Sequence, residues 1–184
     1  MTTENRQRIK DTLTGGFHFT LGFLKNPINL LAFGFGSGCA PKAPGTFGTL
    51  VGLVIYCLLP AMPVVGYLLF ILFGFIVGVY FCEQASKELG VHDHGGIVWD
   101  EFVGFWITMF AAPTGLIWIL VGFLWSRLFD ILKPWPIRWA DKQVSGGLGI
   151  MLDDILAGIY AWIALQLTFF LAAITLGGMV LNNT

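Results

Sequence analysis

The chain has 184 residues, 56% of them hydrophobic and only 11% charged, far below the roughly 25% charged residues of an ordinary soluble domain. A soluble core of this size has no use for so much apolar surface, and a formal net charge of −1 excludes broad electrostatic partners such as nucleic acid. Cys39, Cys57 and Cys82 are odd in number, widely spaced and set in apolar sequence, so they read as packing residues rather than as a disulfide framework or a thiolate metal site.

The first thirty residues predict an interfacial arm. Ile9, Leu13, Phe17, Leu21 and Leu24 recur at helical spacing beside Arg6, Arg8 and Lys10, the pattern of an amphipathic helix lying on a membrane surface. No cleavable signal pattern is present, so this arm is expected to be retained. Residues 28–35 are apolar but too few to cross a bilayer, and predict a re-entrant or surface element.

Residues 43–82 carry no charged side chain, whereas one span needs about 20 residues. Pro60-Ala61-Met62-Pro63 divides this run into a hairpin, 46–59 and 64–82, because proline ends a helix and restricts the residue before it. Residues 102–126 are again uncharged, with Pro113-Thr114-Gly115 in their middle. A single kinked span would set Arg127, Lys133, Arg138 and Lys142 across the membrane from Arg6, Arg8 and Lys10, against the cytoplasmic preference of basic residues. The stretch therefore reads as a second hairpin, 97–112 and 116–132, of short helices whose charged ends lie at headgroup level.

Residues 155–176 make the last span, followed by a polar, uncharged tail. The fold class is all-α: a polytopic membrane helical bundle of about five membrane helices, two of them short, plus the N-terminal interfacial helix. It forms a single domain over residues 1–184, with an arm at 1–30 and the bundle at 43–178. With a cytoplasmic N-terminus, all 10 Lys and Arg and all 11 Asp and Glu fall on one face.

Acids close to hydrocarbon are costly unless paired, hydrogen-bonded or bound to a cation. His92-Asp93-His94-Gly95-Gly96 precedes Asp100-Glu101 at the start of the third span, and Asp153-Asp154 open the fifth. Asp130, one turn before the fourth span ends, reaches both pairs in a bundle. Adjacent acids on a helix point about 100° apart, so each pair offers one inward ligand and one supporting group. Compensation of the helix dipole explains one such pair alone, but two pairs and Asp130 on one face point to a hard divalent cation, Mg²⁺ first and Mn²⁺ second. The candidate ligands are Asp93, Asp100, Glu101, Asp130, Asp153 and Asp154. His94 or His92 serves as a general acid, a ligand or a merely structural group.

A basic set follows: Arg127, then Lys133-Pro134-Trp135-Pro136-Ile137-Arg138, then Lys142. It reads either as a stiff, phosphate-binding loop with Trp135 and Trp139 at the lipid interface, or as a plain cytoplasmic loop. Next to a carboxylate–metal site the phosphate reading gains. Gly34-Phe35-Gly36-Ser37-Gly38 and Pro44-Gly45-Thr46 form a third set, in which glycines admit an anion to the backbone and Thr46 or Thr49 caps a helix; small-residue helix packing is the competing account. Walker spacing, a cysteine–phosphate loop, an Asp-x-Asp-x-Thr nucleophile and a serine elbow are all missing from the sequence.

Four stretches together resemble the bacterial phosphatidylglycerophosphatase A family: 34–38 with Pro44-Gly45-Thr46; 91–95 with Ile97-Val98-Trp99-Asp100-Glu101-Phe102; 130–138; and 146–155. The resemblance implies an inner-membrane enzyme that removes the terminal phosphate of phosphatidylglycerophosphate to give phosphatidylglycerol, with Mg²⁺ as cofactor and membrane phospholipids around it. Joined to the residues above, it gives Asp100, Glu101, Asp153, Asp154 and His94 as catalytic candidates, and Lys42, Thr46, Lys133 and Arg138 as substrate-binding ones. The N-terminus and the active site are expected on the cytoplasmic side of the bacterial inner membrane. Attack by water and a covalent aspartyl-phosphate both remain open. The competing functions are a phosphatase of broader lipid-phosphate specificity, a transporter and a structural membrane subunit; span centres without ionisable residues argue against transport.

Overall fold

A computed structural model describes residues 22–91 and 93–181, with only the backbone of Lys142 and of residues 176–181. The predicted interfacial helix up to residue 21, and His92, lie outside the described residues. Seven α-helices, and no strand, occur among the described residues: α1 (Pro27–Ala32), α2 (Pro44–Leu58), α3 (Val64–Leu89), α4 (Trp99–Thr108), α5 (Leu116–Leu132), α6 (Ile137–Gln143) and α7 (Gly146–Leu181).

Local chemistry explains most of the boundaries. Asn26 caps α1 by accepting from the Ile28 N–H at 3.0 Å, with Pro27 at the first helical position, where its missing N–H costs nothing. A 3₁₀ segment, Gly34–Cys39, follows directly. Pro44 opens α2, and the chain between Pro60 and Pro63 turns into α3. Gly90, in the left-handed region at φ 69°, closes α3 by giving its N–H to the Ser86 and Lys87 carbonyls, the usual role of glycine at a helix C-terminus.

Two helices, α3 and residues 146–175 of α7, are long and apolar enough to cross a membrane. The protein is a helical membrane protein. The second of the expected short hairpins is asymmetric: α5 covers residues 116–132 as expected, but α4 has 10 residues, about 15 Å of helix, rather than the whole of 97–112. It is surrounded, packing on α7, α2, α3 and α5. Phe102, Val103, Phe105 and Trp106 are buried, which makes α4 the axis of the bundle.

Glycines let the other helices close on this axis. A Cβ on Gly104 would stand 2.8 Å from the Asp154 carbonyl oxygen, and one on Gly158 would strike the Gly104 carbonyl. The indoles of α4 use the same proximity. Trp99 Nε1 donates to the Gly74 carbonyl at 2.9 Å, and Trp106 Nε1 to the Gly52 carbonyl at 3.0 Å. The carbonyls of the turn just beyond α4 accept from α7: Trp162 Nε1 reaches Phe110 O at 2.9 Å and Gln166 Nε2 reaches Ala111 O at 3.1 Å.

The start of α7 corrects the expectation that Asp153-Asp154 open the last helix. The helix begins at Gly146, two turns earlier, and no acid lies in its first turn. Dipole compensation therefore does not account for this pair, since the dipole's effect fades within a turn. The proline-bearing segment after α5 also differs from the expected loop: it contains the short helix α6, Ile137–Gln143.

Candidate active site

The carboxylates gather where the start of α2, the start of α4, the end of α5 and the first third of α7 meet. Glu101, Asp130 and Asp154 each bring an oxygen within 4.8 Å of the others. Glu101 Oε2 is the hub. It accepts a short hydrogen bond from Arg127 Nη1 and stands 3.0 Å from the Thr49 hydroxyl. Arg127 Nη2 pairs with Asp130 at 3.0 Å, an i,i+3 contact along α5, and Nη1 donates to Thr49 Oγ1 at 3.1 Å. The first turn of α2 presses on this pair, because a Cβ on Gly45 would collide with the Glu101 carboxylate and lie 3.1 Å from Arg127 Nη2.

The remaining acids form a second group beside the first. Lys133 Nζ donates to Asp153 Oδ2 at 2.6 Å and to Asp141 Oδ1 at 3.0 Å. Burial alone would push the Lys133 ammonium pKa down; its bonds to Asp153 and Asp141 outweigh this and raise it, so the charge is firmly held. Asp100 and Asp153 interact electrostatically, and the charge of Asp93, itself exposed, bears on both. Each adjacent pair of acids is thus divided, Glu101 and Asp154 on one side, Asp100 and Asp153 on the other.

Charge and solvation decide what such an arrangement suits. Asp100, Asp153 and Asp154 are buried, at 9%, 6% and 4% exposure. Asp100 Oδ1 and Asp153 Oδ1 are buried without a hydrogen-bond partner, a costly state for a carboxylate oxygen. Among the described residues, six carboxylates, Asp100, Glu101, Asp130, Asp141, Asp153 and Asp154, face two cations, Arg127 and Lys133, and buried charge left uncompensated is strongly unfavourable. An all-oxygen donor set with an excess of negative charge fits a hard divalent cation. Glu101, Asp130 and Asp154 are the residues placed to hold it.

The other predicted residues are distributed as follows. His94 is half-buried, stacks on Phe33 with ring centroids 5.8 Å apart, and accepts from the Gly96 N–H through Nδ1 at 3.0 Å, so its proton sits on Nε2. Burial lowers its pKa, against the opposing charge of Asp93. Lys42 is exposed ahead of α2, and Thr46 is half-buried in its first turn. Arg138 is exposed and makes one long hydrogen bond, 3.4 Å to the Leu132 carbonyl; the structure does not bring it to the carboxylates. The sequence groups Arg127 with the basic loop, whereas the structure sets it inside the acid cluster. Its i,i+3 spacing from Asp130 was the available signal. Thr49 entered only as a helix cap, and Asp141 carried no signal at all.

Fold and site together define a helical membrane protein with an oxygen-rich, anionic centre buried at one end. The family model for phosphatidylglycerophosphatase A matches residues 30–169, a span that includes every clustered side chain. Phosphatidylglycerophosphatase A of Escherichia coli (strain K12) is 51% identical over 137 residues, covering 74% of this chain and 80% of that protein. The Haemophilus influenzae (strain ATCC 51907 / DSM 11121 / KW20 / Rd) protein of the same name is 51% identical over 140 residues, 75% of this chain and 86% of its own. A Bacteroides thetaiotaomicron protein provisionally named a phosphatidylinositol-3-phosphatase is 38% identical over 143 residues, covering 73% of this chain and 88% of that one. No solved structure matches the chain. The chain belongs to the phosphatidylglycerophosphatase A family and is a phosphatase.

Proposed function

We propose that this protein hydrolyses the terminal phosphomonoester of phosphatidylglycerophosphate, releasing phosphatidylglycerol and phosphate, in a Mg²⁺-dependent reaction at the cytoplasmic face of the bacterial inner membrane. The observation that carries the reading is the convergence of Glu101, Asp130 and Asp154 around Arg127, in a chain that is 51% identical to relatives named for that lipid. A bound Mg²⁺, or Mn²⁺ in its place, supplies positive charge to the phosphate oxygens and makes water a better nucleophile. Glu101, Asp130 and Asp154 hold it. Arg127 pairs with Glu101 and Asp130 and holds both carboxylates in position. Lys42 and Thr46, flanking the Gly45 that abuts the Glu101 carboxylate, and Lys133, paired with Asp153, are the residues assigned to the reacting phosphate. Asp100, with an unpartnered buried oxygen, takes a proton from the attacking water as the bond from phosphorus to the glycerol oxygen breaks, and returns that proton to the departing glycerol oxygen, which regenerates the carboxylate.

The alternative step, attack by a carboxylate to give an aspartyl-phosphate, is separated by trapping: reduction or metal-fluoride capture yields no labelled Asp if water attacks directly. The membrane arrangement proposed is the five-segment one, α2 and α3 as one hairpin, α4 and α5 as a second, and α7 last, all within a single domain. In it α4 descends part-way into the bilayer inside the protein, which satisfies the requirement that lipid meet no unpaired backbone.

The test is phosphate release in detergent from phosphatidylglycerophosphate, phosphatidic acid and phosphatidylinositol 3-phosphate, with and without Mg²⁺. The expected result is a Mg²⁺-dependent preference for the first. A preference for phosphatidylinositol 3-phosphate, the reading favoured by the Bacteroides relative's name, leaves the chemistry and replaces the substrate. Release that is equal after exhaustive chelation overturns the metal assignment.

A further inference from the structure

We infer that the cleft formed by Lys133, Pro134, Trp135, Arg138 and Trp139 binds the phosphodiester group of the lipid substrate, with Arg138 as its anion-binding residue, so that Arg138 selects the lipid rather than taking part in the reaction. The inference rests on the proposed substrate, whose headgroup carries two phosphates: the terminal monoester that is cleaved, and the diester that joins the glycerol to the diacylglycerol.

The cleft has a volume of about 370 Å³ and none of the clustered carboxylates lines it. Lys133 is the one residue common to both places. It lines the cleft, and its ammonium bonds to Asp153 at 2.6 Å. The cleft is thus next to the carboxylates, within reach of a headgroup whose monoester lies at them. The Lys133 charge is taken up by Asp153 and Asp141, which leaves Arg138 as the cation of the cleft whose single long hydrogen bond, to a backbone carbonyl, engages no acid. A guanidinium matches the two unesterified oxygens of a phosphodiester as a bidentate donor.

The walls suit the rest of such a ligand. Trp135 and Trp139 are 79% and 57% exposed, which for two indoles in a soluble setting is wasteful, but which is the ordinary placement of tryptophan at the headgroup level of a bilayer. The Trp135 backbone is anchored to the bundle by the Tyr160 hydroxyl, 3.3 Å from its carbonyl, so the ring is presented from a fixed point. An indole pair at this depth accepts the glycerol and the first acyl carbons beside the diester. Phosphatidic acid has no second phosphate, and the cleft would give it nothing beyond contact with its chains.

The experiment separates the two phosphates by probes that carry one each. Full-length protein in detergent, wild type and Arg138→Gln, is titrated with short-chain phosphatidylglycerol, which has only the diester, following tryptophan fluorescence and calorimetry. Inorganic phosphate, which mimics only the reacting group, is tested in parallel as an inhibitor and by calorimetry. Arg138→Gln is expected to weaken phosphatidylglycerol binding roughly tenfold or more, with Arg138→Lys recovering part of it, and to leave inorganic phosphate binding unchanged. Equal phosphatidylglycerol binding in wild type and Arg138→Gln overturns the inference. So does a parallel loss of inorganic phosphate, which would place Arg138 at the reacting group, and so does equal, Arg138-dependent competition by short-chain phosphatidic acid, which has no diester and would make the cleft a general contact for anionic lipid. Because binding is read without turnover, an Arg138-dependent phosphatidylglycerol site in a protein inactive on phosphatidylglycerophosphate would uphold the cleft and refute the proposed reaction.

Discussion

Glu101 holds three roles at once: hydrogen-bond acceptor for Thr49, ion-pair partner of Arg127 and neighbour of Asp130 and Asp154. Its conversion to Gln removes a charge while keeping shape, as does Asp154→Asn. Each variant is expected to lose more than about 100-fold in phosphate release, since even outer-shell partners of a metal cost about 10–100-fold when removed. In the same experiment Mg²⁺ raises the Tm of wild type, through binding to the folded state alone, and fails to do so in the variants. Arg127→Gln takes away the resident counter-charge of Glu101 and Asp130. Removing one partner of a buried pair costs about 3–5 kcal/mol, so the metal-free variant melts well below wild type, and a larger share of that loss is recovered by Mg²⁺. A Tm unaffected by the substitution would mean that the acids are already neutral.

His94 sets a pH dependence of a different origin. Its folded-state pKa lies below the ordinary value because of burial, with Asp93 opposing, so the neutral ring that accepts from Gly96 is favoured by folding. A depressed value contributes stability that is complete above the unfolded pKa and is lost as pH falls through the folded one. Between about pH 7.5 and about pH 5.5, on either side of the ordinary histidine value, the Tm of wild type is expected to fall further than that of His94→Gln. Parallel curves for the two proteins would show that the ring carries no such linkage.

At the level of elements, the contact between α4 and α7 is set by Gly104 and Gly158. Gly158→Ala drives a methyl group into the Gly104 carbonyl, and overpacking of this kind costs about 1–3 kcal/mol. Because Asp154 lies one turn before Gly158, activity should fall by more than the lost fraction of folded protein. Equal losses in folded fraction and activity would mean that the helix shift does not reach the site. The same contact shows which parts of the fold were legible in sequence. The turn at 60–63 and the helix at 116–132 follow from proline and from uncharged runs, both local signals. The start of α7 does not. The sequence opens the last helix at Asp153-Asp154, but the helix starts at Gly146, where Glu83 accepts the Gly147 N–H at 2.5 Å and the Val79 carbonyl leaves room for no side chain on Gly147. The early end of α4 is likewise written in α7, in the reach of Trp162 and Gln166. Among the site residues, the acids announced themselves by standing next to apolar runs, whereas Thr49, Asp141 and the true place of Arg127 depend on partners 52, 8 and 26 positions away.

Across the whole molecule, the one-sided distribution of charge predicts a topology that can be measured. Single cysteines placed in residues 60–63 or 113–115 of a cysteine-free variant are expected to react with an impermeant maleimide added outside intact cells. Cysteines in residues 134–140 should react only after the cytoplasmic side is opened. Labelling of 113–115 from the cytoplasmic side alone would replace the second hairpin by a surface-bound pair and would require a new account of how α4 is buried.

The dependence of α4 on α7 has a consequence for biogenesis. A helix of 10 residues is too short to be recognised as a span, and the carbonyls of the turn that follows it find their donors on Trp162 and Gln166, in a segment synthesised after it. Until that segment is inserted, α4 has nowhere dry to place those groups. The segment that completes this turn's hydrogen bonding also delivers Asp154 to Glu101. The first two thirds of α7 must therefore be made and inserted before the protein has either a settled core or a working site, and a chain cut short ahead of Trp162 is one that membrane proteases can recognise by its unburied centre.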